Sequence, residues 1–270
     1  MSKRVDLYST YANFSERLLD EIRKETFGAD IGQNSWLTVD EYDRFISWLN
    51  LTSQDHVLEV ASGSGGPAIY LAQKVNCSVT GIDANESGVA TATQSAAEAN
   101  LTERVVFKLV DANATLPFAD NTFNGIFCID ALNHLPDRLN VFEEWCRVLR
   151  PGRRAVFTDP VVITGPVTND ELALRSAVGL FLFVPEDVNE QLIEQAGLHL
   201  VQQQDVSENA ALVSRRWLES RERHRDELIQ IEGEEGFEGL QKFFAAVQRL
   251  TSERRLSRFV YLVEKPKGYQ

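Results

Sequence analysis

The stretch VLEVASGSGGPA, at residues 57–68, combines a carboxylate with a cluster of glycines after a short apolar run. Glu59 lies in the apolar run, and Gly63 and Gly65 follow in a turn that leads into a helical pattern. Glycine permits positive φ and has no Cβ atom, so a ligand can approach the backbone closely. The helix that follows offers unpaired N–H groups. This combination predicts a nucleotide or nucleoside site.

A second carboxylate, Asp83, stands at the end of the next apolar run, 20 residues after Gly63. A carboxylate there can accept hydrogen bonds from both ribose hydroxyls, as in dinucleotide-binding folds. The turn suits a pyrophosphate poorly, because Pro67 removes a backbone N–H that a phosphate would use. Glu59 adds a negative charge, which favours an ammonium or sulfonium group over a phosphate. We therefore expect a cationic nucleoside without phosphate.

The elements around the turn alternate between strand and helix patterns, which predicts a parallel sheet with helices on both faces. Nearly continuous apolar runs such as GIFCI fit strands that are buried on both faces. Thr38 and Glu41 are spaced as a capping box at a helix start. The run at 256–266 alternates and predicts an edge strand. The other predicted strands are 56–61, 77–83, 105–112, 123–130, 153–163 and 199–207, and the helices include 9–26, 66–75, 86–100, 138–150, 185–197, 208–230 and 236–253.

Five motifs together resemble the class I S-adenosylmethionine-dependent methyltransferases: VLEVASGSGG, VTGIDAN, VDANATLPFADNTFNGIF, ALNHLPD and VLRPGRRAVFTD. They stand in the order and spacing of that family, across roughly residues 36–163. The resemblance is strongest to the small-molecule group that includes quinone, tocopherol and sarcosine methyltransferases. It implies a Rossmann-like, doubly wound α/β fold with a seven-stranded, mostly parallel sheet and an antiparallel last strand. Helical N-terminal and cap insertions would complete it.

The same resemblance implies S-adenosylmethionine as the methyl donor, with S-adenosylhomocysteine as its product, and gives a role to each matching residue. Glu59 would lie near the methionine end, Asp83 would bind the ribose, and Asp111 would receive the adenine amino group. Apart from these matches, Trp36 in GQNSWLT could form a wall of the donor site, with ordinary core packing as the alternative. The remaining positions are implied as close backbone or packing contacts: Ala61, Gly63 and Gly65 in the loop, Ala84 on the adenine, Ala112 beside Asp111, and Ile129, whose carbonyl would meet the ammonium.

Methyl transfer is an in-line displacement that depends mainly on positioning, and it needs a base only if the nucleophile must lose a proton. His134 is the candidate base, because the other histidines lie outside the loops that carry motifs. Asp130 could bind a cationic amine or accept a proton. Tyr11 precedes the core in a helix that often folds over the donor in this family. A structural hydrogen bond, a loop cap and simple packing remain the respective alternatives.

An acceptor pocket is suggested by the apolar stretch GLFLFV at 179–184, together with Phe237, Phe243 and Phe244. Plain core packing is the alternative for such an aromatic stripe. No histidines are paired at ligand spacing and no Cys-x-x-Cys occurs, so we expect no metal. The nucleophile could be nitrogen, oxygen or carbon.

The 270-residue chain carries a formal net charge of -13, which disfavours nucleic acid and anionic lipid as partners. No apolar run reaches membrane-spanning length. The three cysteines suggest free core thiols in a reducing compartment, and hence a cytoplasmic protein. We expect a small-molecule acceptor and a monomer or homodimer.

One domain is expected over residues 1–270. Two alternatives to a methyltransferase remain, an NAD(P)-dependent oxidoreductase of the Rossmann class and a non-catalytic S-adenosylmethionine-binding module. The expected parts are N-terminal helices over the donor at 1–50, a donor-binding core at 51–163, cap insertions at 164–185 and 208–254, and a closing strand at 256–266.

Overall fold

The computed structural model describes residues 17–268, and within them one eight-stranded sheet forms the centre of the fold. Its order is β3-β2-β1-β4-β5-β8-β7, with the short β6 paired to β5. The strands are β1 (His56–Val60), β2 (Ser78–Asp83), β3 (Val105–Leu109), β4 (Phe123–Cys128), β5 (Leu149–Ile163), β6 (Val184–Pro185), β7 (His199–Asp205) and β8 (Leu256–Glu264).

Helices cover the sheet, as the alternating pattern predicts. A short 3₁₀ turn, Leu132–His134, follows β4. The α-helices are α1 (Arg17–Phe27), α2 (Val39–Trp48), α3 (Gly66–Val75), α4 (Glu86–Glu98), α5 (Arg138–Val148), α6 (Asn169–Arg175), α7 (Val188–Gln195), α8 (Ser207–Arg223) and α9 (Arg225–Ser252).

The strand order reverses at β1, which pairs in parallel with β2 on one side and with β4 on the other. Ligands of doubly wound sheets bind outside the carboxyl ends of the strands at such a reversal. The glycine turn follows β1 and Asp130 follows β4, so the fold brings both to this position. The sheet thus explains why Gly63 and Asp130, 67 positions apart, share one site.

The core lies on both faces of the sheet. On one face Phe142, Trp145 and Phe157 are fully buried, and on the other face Tyr42 and Phe127 are fully buried. All six residues of β4 are buried, as the run GIFCI predicts. The predicted Rossmann-like α/β fold is confirmed, and β8 runs antiparallel to β5 as expected.

The position of β8 differs from the prediction of an edge strand at 256–266. It lies between β5 and β7, and β7 forms the edge. Seven of its nine residues are buried, because Ser257 and Arg258, which look solvent-facing in the sequence, point into protein. The alternating exposure expected of an edge belongs to β7 instead.

Two further differences concern local structure. Thr38 does cap α2, but its side chain accepts no bond from the helix, and the predicted capping box is absent. Glu41 is instead buried, and its carboxylate accepts a hydrogen bond of 2.7 Å from Arg258. The eighth strand, β6, forms because residues 184–185 of the predicted cap pair in parallel with Val162 and Ile163, at the end of β5.

The boundary between the two late helices, predicted at 208–230 and 236–253, is wrong, because the structure separates them at His224. His224 separates α8 from α9, and α9 has a kink at Gly233, whose φ is +75°. All three cysteines are free and buried, as predicted. No helix among residues 17–268 combines the length and apolar character that a membrane span requires.

Candidate active site

The glycine turn after β1 has the left-handed backbone that its composition predicts, with φ of +53° at Gly63 and +81° at Gly65. The Gly63 amide donates to Asp83 Oδ2 at 2.8 Å, which ties the ends of β1 and β2 together. At Gly65 a Cβ atom would stand 2.5 Å from the Phe107 ring. The missing Cβ there makes room for protein packing, whereas Gly63 belongs to a cavity wall.

A small cavity of about 50 Å³ lies at the turn. The Glu59 side chain reaches it from β1 and is buried, and its Oε2 has no hydrogen-bond partner in the described chain. Burial, with a smaller contribution from the nearby Asp83 carboxylate, raises the pKa of Glu59 to about 8. Other lining residues are Asn34, Ser35, Ala61, Gly63 and Ile129.

Four predicted donor-binding residues lie past the ends of the neighbouring strands and outside this cavity. The Asp83 carboxylate accepts from the amides of Gly63 and Asn85, each at 2.8 Å. Asp111 is exposed, and its Oδ1 accepts from the Asn113 amide at 2.9 Å. Ala84 is exposed and Ala112 is buried. All four lie at the same edge of the sheet as Glu59.

A larger cavity of about 360 Å³ adjoins the small one, and Asn34 and Ser35 line both. Its walls come from α1, from the loop before α2, from the segment after β4 and from α6, α8 and α9. Aromatic side chains dominate it, among them Trp36, Phe181, Trp217, Phe243 and Phe244.

Trp36 therefore contributes to the larger cavity, where it stacks on Phe243 with ring centroids 6.4 Å apart. Phe181, Phe243 and Phe244 line the cavity as the predicted acceptor pocket requires. Phe237 is fully buried in a separate cluster with Ile22. The expectation for Tyr11 falls outside the residues that the structure describes.

Both carboxylate oxygens of Asp130 are occupied. Oδ1 accepts from Arg258 Nε and from Thr158 Oγ1, each at 2.7 Å, and Oδ2 accepts from the Trp36 amide at 2.9 Å. The residue has a φ of +53°, which costs energy for a side chain with a Cβ. Asp130 thus joins the ends of β4, β5 and β8 to the loop that carries Trp36.

His134 lines the larger cavity and is held by two contacts. Its Nδ1 lies 2.7 Å from the Leu180 carbonyl oxygen, which only a donor N–H can satisfy. Its Nε2 is then the acceptor, 3.2 Å from Asn133 Nδ2. Burial lowers the pKa of His134, and the Arg175 charge lowers it further, while the Leu180 bond opposes both. The ring is therefore a neutral base at pH 7.

Two arginines in this region escape sequence analysis. Arg258 is fully buried between Asp130 and Glu41, at 2.7 Å from each carboxylate. Arg175, at the end of α6, is buried in the wall of the larger cavity. A basic residue at a helix C-terminus is ordinary in a sequence. Only the packing of α6 against α9 makes Arg175 unusual.

No cluster of three or more potential metal ligands occurs among residues 17–268. Residues 51–212 match a family described as "Methyltransferase domain". A solved structure, a putative sarcosine dimethylglycine methyltransferase from Galdieria sulphuraria, superposes with a TM-score of 0.76 at 19% identity, covering 92% of this chain and 98% of that one.

Two known methyltransferases are similar to this chain in sequence. The 27-O-demethylrifamycin SV methyltransferase of Amycolatopsis mediterranei is 31% identical over 199 residues, which cover 71% of this chain and 73% of that protein. Methyltransferase GfsG of Streptomyces halstedii is 36% identical over 166 residues, covering 59% of this chain and 58% of that protein. The family match includes β1 to β7 and the start of α8.

Proposed function

The chain belongs to the family of methyltransferase domains, and from this premise we propose that it methylates a small organic acceptor held in the larger cavity. The family match favours methyl transfer over nicotinamide-dependent oxidation. When bound, S-adenosylmethionine supplies an electrophilic methyl group and leaves as a neutral thioether. The residues of this chain bind the two reactants, align them and hold the proton that the acceptor loses.

The residues at the carboxyl ends of β1 to β4 fit this donor. The unpartnered Oε2 of buried Glu59 needs a cationic or hydrogen-bond-donating group, which the donor's amino end provides. No lysine or arginine occurs from 57 to 73, as suits a ligand without phosphate. Proposed donor contacts are Glu59, Ala61, Gly63, Gly65, Asp83, Ala84, Asp111, Ala112 and Ile129.

The shared wall between the cavities is the observation that carries the proposal. Asn34 and Ser35 line both spaces, so a donor beside Glu59 and an acceptor beside His134 would meet at this wall. A cavity of about 360 Å³ suits a small organic molecule. Its aromatic lining favours an acceptor with an apolar body.

His134 is the proposed base, acting on an acceptor hydroxyl. It is neutral at pH 7, and its Nδ1–H bond to Leu180 fixes the ring so that Nε2 carries the lone pair. The acceptor hydroxyl would replace the Asn133 amide, which donates to Nε2 over 3.2 Å. The 27-O-demethylrifamycin SV methyltransferase is named for methylation of an oxygen, which supports an oxygen nucleophile. Asp130 acts as a positioning residue, because its carboxylate oxygens are already bonded to Arg258, Thr158 and Trp36.

The test begins with donor binding, measured by calorimetry with S-adenosylhomocysteine and, in parallel, NAD. We expect binding of the former alone, and binding of NAD alone would refute the proposal. Labelled S-adenosylmethionine with a panel of phenols, hydroxy acids and macrocyclic alcohols then tests transfer. Failure of every hydroxyl acceptor, with transfer to amines, would refute the oxygen assignment.

The free cysteines support placing the protein in a reducing, cytoplasmic compartment.

A further inference from the structure

Arg175 presents a guanidinium group to the larger cavity without a partner. The residue is 1% exposed, and its Nη1 is fully buried without a hydrogen bond. Among residues 17–268, no hydrogen bond or ion pair joins the Arg175 guanidinium to another side chain or to the backbone. A guanidinium has five N–H donors and no acceptor, so Arg175 is buried without a contacting counterion, and the Asp130 and Asp159 carboxylates act on its charge only from beyond ion-pair distance.

The other buried arginines of the described chain show what is missing. Each has a carboxylate in contact, so the environment of Arg175 is an exception within this protein. The pairs are Arg23 with Asp20 and Asp30, Arg138 with Asp159, Arg221 with Glu232, and Arg258 with Glu41 and Asp130.

Aromatic rings surround the Arg175 guanidinium. Its Cζ lies 4.8 Å from the centroid of Phe181, 5.3 Å from that of Phe243 and 5.8 Å from that of Trp36. Rings attract the cation through their faces, but they offer no lone pairs to the in-plane N–H groups. Burial lowers the pKa of Arg175 to about 10, so the group remains charged at neutral pH. The rings hold the cation in place and leave its donors free.

A planar oxyanion is the ligand that such a group selects. Carboxylates match the fork of a guanidinium with two parallel hydrogen bonds. Arg23 and Arg221, which also line the cavity, already have carboxylate partners. One unpaired cation therefore balances one negative charge, which fits a monoanionic carboxylate better than a phosphate dianion.

We propose that Arg175 binds a carboxylate on the methyl acceptor, whose apolar part packs against Trp36, Phe181 and Phe243 in the larger cavity. This inference rests on the proposed function, since it specifies the acceptor of that site. The Phe181 ring also contacts His134, with ring centroids 4.8 Å apart. The acceptor is thus an apolar hydroxy acid. The Phe181 ring contacts both Arg175, which binds the carboxylate, and the base His134.

The experiment compares probes of one shape and different charge. 6-Hydroxy-2-naphthoate, whose hydroxyl and carboxylate lie on different rings, and its amide are titrated into the full chain saturated with S-adenosylhomocysteine, with binding followed by calorimetry. We expect the acid to bind at least about tenfold more tightly than the amide, as one charge-assisted bidentate pair allows. In Arg175→Gln the ratio of the two affinities should fall to nearly one, and Arg175→Lys should retain part of the preference for the acid.

Arg215→Gln is the matched control. It removes the same charge from an exposed position on α8, where Arg215 lies only near Glu219, and it should keep the preference of the parent protein. Equal binding of acid and amide to the parent, or a preserved preference in Arg175→Gln, would overturn the inference. So would tighter binding of 2-naphthyl phosphate than of the acid, or no binding of the acid at millimolar concentration.

Failure of this inference can be told apart from failure of the proposed function. The donor product does not contact Arg175 in the proposed arrangement, so Arg175→Gln should bind S-adenosylhomocysteine as the parent does. If the parent binds no S-adenosylhomocysteine, the proposed function fails, and the probes are titrated without it. If the parent binds it but shows no charge preference, only the carboxylate assignment fails.

Discussion

Arg258 Nε donates to Asp130 Oδ1 at 2.7 Å, although the two residues stand 128 positions apart in the chain. The bond connects β8 to the segment after β4, which lines the larger cavity through Asp130 and His134. Arg258 also binds Glu41 on α2, so one buried cation joins three elements of the site. The orientation of Asp130 in the cavity wall thus depends on a buried cation, Arg258, that does not itself line the cavity.

Replacement of Arg258 by methionine is expected to lower the free energy of unfolding by about 3–5 kcal/mol, because Glu41 and Asp130 would be left buried without a cation. Urea denaturation measures this change. Arg17→Gln is the control, because the Arg17–Glu21 pair is exposed and contributes less than about 1 kcal/mol. Equal effects of the two substitutions would contradict the role of the cluster.

Glu59 should make donor binding depend on pH. With its pKa raised to about 8, the residue is protonated at neutral pH, and binding to a cationic group must release that proton. The affinity for S-adenosylhomocysteine should therefore rise with pH, by up to about tenfold per unit, until about pH 8. Calorimetry in buffers of different ionisation enthalpy measures the proton release.

Glu59→Gln should abolish this dependence, whereas Asp111→Asn should weaken binding and keep the slope. Without the donor, the stability of the fold depends on pH in the opposite direction, and falls as the pH rises. A raised carboxyl pKa stabilises the fold at low pH, and this contribution is lost as the pH rises from 4.5 to about 8. A pH-independent affinity in the parent would rule out Glu59 as the group that meets the cation.

His134→Gln is expected to reduce kcat by roughly 10²–10⁴-fold with a hydroxyl acceptor, while donor affinity stays unchanged. Because burial lowers the pKa of His134 below its usual 6.5, the parent should keep its activity below pH 6.5 and lose it only as His134 becomes protonated. An acidic phenol, which ionises without help, should be far less sensitive. His199→Gln, at the exposed edge strand, is the control, and an equal loss there would argue against a base.

Arg175→Met should raise the free energy of unfolding by about 1–2 kcal/mol, because it replaces an unpaired buried charge with an apolar side chain of similar length. Loss of the cation–π contacts offsets only part of this gain. Thermal and urea unfolding without ligand measure the effect. A loss of stability larger than that of Arg215→Gln would mean that the surrounding rings require the cation.

The fold could be predicted from the sequence where its signals are local. The turn at Gly63, the carboxylate at Asp83 and the apolar strand β4 carry their own patterns, and the structure places them accordingly. Glu41 and Arg258 could not be interpreted this way. Each looks like a surface residue of its own element, and only tertiary packing buries them together.

The acceptor side of the site was less predictable than the donor side. The phenylalanines of α9 suggested a pocket, but nothing near Arg175 in the sequence indicates a missing partner. Its isolation is a property of three segments that meet in space, α6, α9 and the loop with Trp36. Predictions of burial from one helix alone cannot detect it.

Because β8 lies between β5 and β7, the sheet is complete only after the last strand has been synthesised. β7 pairs with β8 and not with β5, yet β8 begins about 50 residues after β7 ends. A nascent chain halted between them carries β5 with its long outer edge unpaired, an edge that invites pairing with other chains. Ribosome pausing in α8 or α9 would therefore expose the protein to aggregation until translation of β8 closes the sheet.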